Sequence, residues 1–168
     1  VVSVPAKLLS KSANDKSAKV QLLNLAKAAS QRIWMVQNSF SVRVPVYLII
    51  SGCEDIPGFE SFSKSLPESM RDSILGWSNP NDLSSTFLKG WIVQAINRIS
   101  ETVAGLVVDV ATSTKKKKNR VSEFLLPIEI KQLQEGLMDY TEALVESSGF
   151  YEPFFFRGIY MVTNHEKP

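Results

Sequence analysis

The sequence is poor in the residues that most often carry catalysis or covalent staples. It has one cysteine, Cys53, and one histidine, His165. A single cysteine excludes an internal disulfide, gives no zinc-binding spacing, and fits a reducing compartment. Cys53 follows an apolar run, a place where a nucleophile can sit, but no histidine neighbours it. His165, close to the end of the chain, reads as a solvent-exposed residue rather than a base. No apolar run approaches the roughly 20 residues that cross a bilayer, and no signal peptide opens the chain. A glycine-rich phosphate loop of the form GxxxxGK followed by Ser or Thr is absent. The net charge of +2 includes no long basic stripe, so nucleic acid is not an expected partner.

What is present is an ordinary globular composition. Of 168 residues, 44% are hydrophobic and 21% charged, enough for one domain with a real core rather than a disordered chain. The chain starts at Val1, inside an expected strand, and reads as a fragment of a longer protein whose membrane segments lie elsewhere.

The organising stretch is residues 44–59, Val-Pro-Val-Tyr-Leu-Ile-Ile-Ser-Gly-Cys-Glu-Asp-Ile-Pro-Gly-Phe. Its unbroken apolar run, residues 46–50, suits a strand buried on both faces in the middle of a parallel sheet. The turn after it lies at the carboxyl end, where open α/β sheets place ligands. That turn holds the candidate site residues Ser51, Glu54 and Asp55, although a turn with no ligand is the plainer reading of the same residues.

Around this strand the chain reads in order. Residues 1–4 form a strand and residues 7–16 a polar loop. A helix capped at Asp15 or Ser17 carries Leu22, Leu25, Ala26, Ala29, Ile33, Val36 and Phe40 at three- and four-residue spacing. Strand, helix and strand make one right-handed βαβ unit. After Pro57-Gly58, residues 59–65 form a short helix and residues 67–75 a second one, ended by residues 76–80. A long helix follows from Asn81 or Asp82, with a stripe from Leu83 through Trp91 to Val110. Gly90 and Gly105 suggest close packing or a bend in it. Lys115, Lys116, Lys117 and Lys118 read as a phosphate or acidic-lipid patch, or, more plainly, as a solvated loop of repelling charges. A further helix spans residues 124–144, with Pro127 in its first turn or just before it. Residues 155–162 form a second buried strand whose Thr163-Asn164-His165 end shares the carboxyl edge with Ser51 and Asp55. The expected layout is thus an α/β part, residues 1–58 and 150–168, with an all-helical insertion, residues 59–149. Three strands leave one sheet edge exposed, to be covered by a missing half or another chain.

Three pieces resemble one family. Residues 44–59 are similar to the segment LPVYVLLTKCDLLPGF of the IcmF/TssM proteins, inner-membrane components of bacterial type VI secretion systems with relatives in type IVB systems. Residues 124–144 follow that family's pattern of leucines, and Phe156-Arg157-Gly158-Ile159-Tyr160 resembles its LRGVYFTS. The resemblance implies the later half of a P-loop GTPase-like α/β fold, parallel-sheeted, with a helical insertion. In such a fold the Thr-Lys-Cys-Asp segment recognises guanine. Ser51 then stands at its threonine, Gly52 at its lysine, Cys53 at its cysteine and Glu54 at its aspartate, with Asp55 one position out of register. Gly52 has no stem to cover a base, and Glu54 is one methylene longer than aspartate.

The expectation is therefore a non-enzymatic scaffold at the cytoplasmic face of a bacterial inner membrane, docking other membrane-complex and baseplate proteins. No cofactor is expected for this chain, with GTP or ATP reserved for a parent protein that carries its phosphate loop upstream. The alternative is a nucleotide switch or NTPase. Trp77, Trp91, Phe154, Phe155 and Phe156 are candidate interface anchors, against the plainer reading that they are core.

Overall fold

The computed structural model describes residues 1–71, 73–81, 87, 89–113, 120–146 and 154–163. In chain order the elements are β1 (Val2–Pro5), α1 (Ala6–Ser12), α2 (Lys16–Phe40), β2 (Pro45–Ser51), a 3-10 turn (Cys53–Asp55), α3 (Phe59–Ser65), α4 (Glu68–Arg71), β3 (Leu75–Ser78), α5 (Gly90–Ser113), α6 (Val121–Glu146) and β4 (Phe155–Met161). The protein is α/β. Its single four-stranded sheet has the order β1-β2-β4-β3. β1, β2 and β4 run parallel, and β3 pairs antiparallel with β4.

The βαβ unit forms as its sequence predicts. Asp15 caps α2 by accepting hydrogen bonds from the amides of Ser17 at 2.8 Å and Ala18 at 3.3 Å. The helix ends where Ser41 turns left-handed at φ 52°. Gln37 then accepts the Val44 amide at 3.2 Å, which ties the end of α2 to the start of β2.

Five expectations are corrected. The polar segment after Pro5 is a helix, α1, rather than a loop, and it buries Ala6, Leu9 and Ser12 at a spacing of three. The residues expected to end a helix at 76–80 instead include β3, so residues 59–149 are not all helical and the sheet has four strands, with β1 and β3 at its edges. α6 starts at Val121, placing Pro127 inside the helix. An interior proline removes a hydrogen bond and costs about 3 kcal/mol; here the preceding turn is held by Glu123, which accepts from Ser61 Oγ at 2.6 Å and pairs with Arg120 at 3.0 Å. Gly90 is the first residue of α5, and a side chain at Gly90 or Gly105 meets nothing within 4 Å, so neither marks close packing. The long helix expected from Asn81 or Asp82 starts at Gly90; Asn81 lies in a bend, its amide donating to Asn79 Oδ1 at 3.0 Å, while Asp82, Leu83 and the Lys115 to Lys118 run lie outside the described residues.

Close packing occurs instead at Gly136. A Cβ there would lie 2.5 Å from the Leu9 carbonyl oxygen, so α1 rests directly on α6. Gly58, at φ 86°, similarly sets its backbone against Ser122 of α6, where a Cβ would approach the carbonyl oxygen to 2.2 Å. With α2 and α5 also packed on α6, these contacts join α1, α2, α3, α5 and α6 in one layer. One continuous core joins Val4, Leu48, Ile50 and Ile159 of the strands to Leu22, Ile96, Leu133 and Leu137 of the helices.

The sheet is covered on one side only. Along β2, Val46, Leu48 and Ile50 are buried, while Pro45 and Tyr47 are exposed and Ile49 and Ser51 half-buried. In register with that second set are Ser3 and Pro5 of β1 and Phe155, Gly158 and Tyr160 of β4. Gly76 and Ser78 of β3 continue the row. The expectation of a strand buried on both faces is thus half right. Successive side chains alternate, and no described helix lies over the Tyr47 side.

Candidate functional site

The carboxyl edge of the parallel strands is organised by the turn after β2. Gly52 adopts the left-handed conformation at φ 68°, ψ 36°, and the 3-10 turn follows at once. The turn is fastened to the neighbouring strand: the Val162 amide donates to Ile50 O at 2.9 Å, and the Cys53 amide donates to Val162 O at 3.2 Å. The Cys53 thiol donates to Ile50 O at 3.2 Å and is fully buried. Burial pushes its pKa up to about 12, which removes it as a nucleophile near neutral pH.

The three predicted residues are dispersed by this turn. Ser51, the last residue of β2, lies on the uncovered side of the sheet, where its Oγ accepts from Ser3 Oγ at 3.1 Å. Glu54 is half-buried within the 3-10 turn. Asp55 is exposed and lines a polar hollow of about 430 Å³ together with Lys7, Ser10 and Lys11 of α1 and Glu129 and Gln132 of α6. Of the Thr163-Asn164-His165 end, Thr163 reaches the same edge as expected from the parallel pairing, and Asn164 and His165 lie outside the described residues.

On the other side of the turn is a second hollow of about 460 Å³, walled by Phe59, Phe62, Leu66, Leu106 and Met161, with Thr163 among its polar groups. Arg71 also lines it, but its guanidinium is held by the carbonyls of Leu66 and Lys64, both at 3.1 Å. The edge therefore offers two unlike environments: mixed charges that suit a hydrogen-bonding dipolar group, and a mostly apolar wall. Sequence reasoning missed Lys7, Lys11, Glu129 and Gln132. The spacing of four between Lys7 and Lys11 was a usable signal, but only once the segment was known to be helical. Among the described residues no group of three His, Cys, Asp or Glu side chains is placed to hold a metal ion.

The aromatic candidates also separate. Trp91, Phe154 and Phe156 are buried in the core, and Trp77 leans on Phe156 at 6.4 Å between ring centroids. Phe155 alone of these faces the uncovered side, where Arg43 sits 4.1 Å above its ring.

The first and third pieces of the sequence resemblance, β2 with its turn and β4, are neighbouring parallel strands, and the second lies along α6. Residues 1–167 match the IcmF-related N-terminal domain. The chain belongs to the IcmF-related family. This match spans both the sheet and the segment between α3 and β4, and places the protein among IcmF-like components of secretion systems. Comparisons with curated proteins and with solved structures gave no match. Among the described residues of this IcmF-related domain, no helix is long and apolar enough to cross a membrane.

Proposed function

We propose that this IcmF-related domain is a docking scaffold at the cytoplasmic face of a bacterial inner membrane, in a type VI or IVB secretion system, and that it holds other membrane-complex or baseplate proteins without chemistry of its own. The observation that carries this reading is the uncovered sheet face. Parallel sheets normally have both faces covered; here one face presents Tyr47, Ile49, Phe155 and Tyr160. Its surface is preformed. The Tyr47 and Tyr160 rings pair with centroids 6.2 Å apart. A Cβ on Gly76 would come within 2.3 Å of the Tyr160 ring, so the ring packs directly on the glycine, and its hydroxyl hydrogen-bonds to Ser78 Oγ at 2.8 Å. Aromatic and rimmed by Ser3, Ser51 and Arg43, the face has the composition of an interface centre. The test is Tyr47→Lys in the membrane-embedded parent. Co-purification of at least one other secretion component should fall, while the parent's melting temperature stays within about 2 °C. Unchanged co-purification of every component would sink the proposal.

A second reading, a nucleotide-binding switch of GTPase-like fold with its phosphate loop upstream, is favoured by one observation: Asp55 at the carboxyl edge beside Lys7 and Lys11. Calorimetric titration of GTP, GDP and ATP with magnesium into the parent tests it. Micromolar, guanine-preferring binding that is lost in Glu54→Ala or Asp55→Ala would establish it over the scaffold. Silence up to millimolar nucleotide would remove it.

A further inference from the structure

One side of α6 is open to solvent, and it changes character part-way along the helix. Over the first two turns it carries Val121, Phe124, Leu125 and Ile128, at the spacing of a single helical face, all four from 46% to 62% exposed. Beyond Ile128 the same face continues as Gln132 and Glu135, both exposed. The opposite side buries Leu126, Ile130, Leu133 and Leu137 throughout. α6 thus starts with two apolar faces and goes on with one.

The first turn is held rather than frayed. Gly58 packs against the Ser122 carbonyl, and the buried Glu123 accepts from Ser61 Oγ and pairs with Arg120. The four apolar side chains are therefore presented on a fixed helix end. None of them lines either hollow at the carboxyl edge; they stand on the outer surface of a helix rather than in a groove.

The charge beside this stripe says what covers it. Lys115, Lys116, Lys117 and Lys118 belong to the connection between α5 and α6, and Lys118 is joined to Val121 through Asn119 and Arg120 alone. The four lysines lie outside the described residues, but their charge and their place in the chain follow from the sequence. The two carboxylates in the first turns of α6 are directed elsewhere: Glu123 is buried against Arg120, and Glu129 lines the polar hollow with Lys7 and Lys11. Four successive like charges repel one another and gain most from a dense layer of opposite charge. A short apolar ridge gains from a surface that yields around it. An anionic bilayer offers both, and imposes no fixed geometry on either.

We propose that the first two turns of α6 dock on an anionic membrane surface, with Val121, Phe124, Leu125 and Ile128 entering the boundary between headgroups and acyl chains and the adjoining lysines meeting lipid phosphates. The inference goes beyond the docking reading and uses another surface. α6 belongs to the helical layer on the covered side of the sheet, so a chain seated on lipid through α6 keeps its Tyr47 face open to proteins.

The test is sedimentation of the 168-residue chain with vesicles of phosphatidylethanolamine and phosphatidylglycerol, and with vesicles of phosphatidylcholine alone. Binding to the anionic vesicles should be at least about tenfold tighter and should weaken as salt is raised. Lys115→Gln, Lys116→Gln, Lys117→Gln and Lys118→Gln, made together, should abolish that preference. Phe124→Gln with Ile128→Gln should weaken anionic binding by about fivefold or more without lowering the melting temperature, since both side chains are exposed. A measurement on the unaltered chain stands apart from any folding defect of the variants: a nitroxide lipid in anionic bicelles should broaden the methyl signals of Val121, Leu125 and Ile128 and spare those of Leu25 and Val36 on α2. No sedimentation with anionic vesicles would overturn the proposal and leave the stripe to a protein. Undiminished binding by the lysine variant, or bicelle broadening that misses α6, would overturn it as well. So would undiminished binding by the Phe124 and Ile128 variant, which would reduce the contact to charge alone. The experiment contains no other secretion component, so it fails or succeeds independently of the Tyr47→Lys co-purification.

Discussion

The two faces of the sheet are made by the same strands and obey opposite rules. On the covered face Val46, Leu48 and Ile50 meet the helical layer and lose nearly all contact with solvent. On the other, Tyr47 is 38% exposed, and the face around it mixes Ile49 with aromatic rings, serines and glycines. The covered face carries the stability, because burial of aliphatic area is the main favourable term in folding. The open face carries little of it. The candidate nucleotide residues straddle the two: Ser51 belongs to the open side, while Asp55 looks into a hollow walled by α1 and α6.

Substitutions matched across the sheet should break this contrast most visibly. Leu48→Ala removes a fully buried side chain from the covered face and should cost about 3 kcal/mol in urea unfolding. Gly136→Ala drives a methyl into the Leu9 carbonyl and should cost about 2 kcal/mol, with the loss appearing as faster hydrogen exchange in α1. Alkali should act through the covered side as well. Burial raises the Cys53 thiol from 9.0 to about 12 and the Tyr140 hydroxyl from 10.0 to about 12. Below pH 9 both groups are protonated, folded or unfolded. Above pH 9 for Cys53, and above pH 10 for Tyr140, the unfolded chain releases its proton first, so stability falls, by about 1.4 kcal/mol per pH unit for each group past its onset, until the folded groups also ionise near pH 12. Cys53→Ala should flatten the decline between pH 9 and pH 12, measured by denaturant titration. The smallest effect belongs to the open face: Tyr47→Lys should change stability by no more than about 0.5 kcal/mol. A loss near 3 kcal/mol there would mean that the two faces do not differ as described.

Much of the covered face was legible in the sequence. The α2 stripe of Leu22, Ala26 and Ile33, the Asp15 cap, the apolar run of β2 and the strand through Ile159 each carry a local signal that the fold then uses. What was hidden depends on neighbours far along the chain. Tyr47 and Ile49 continue the hydrophobic run through Leu48, so the run itself does not say whether a second helical layer exists. α1 buries only Ala6, Leu9 and Ser12 amid lysines, and its place is fixed by Gly136 more than a hundred residues later. β3 is four residues long and includes a glycine, which reads as a breaker until Tyr160 is seen to pack on it. The site was legible as a turn at the right edge of the sheet. Its division into a polar and an apolar hollow was not, because Lys7, Glu129 and Phe62 come from three separate helices.

The clasp between Cys53 and Val162 has a mechanical consequence. A turn at a strand end ordinarily relaxes on its own timescale, but this one is stitched to β4 by the same kind of bonds that hold the strands together. Glu54 and Asp55 therefore ride on the sheet as a fixed fitting rather than on a hinge. Displacing them would mean unzipping the last rung between β2 and β4, a motion with the slow clock of core opening rather than the fast one of a surface loop.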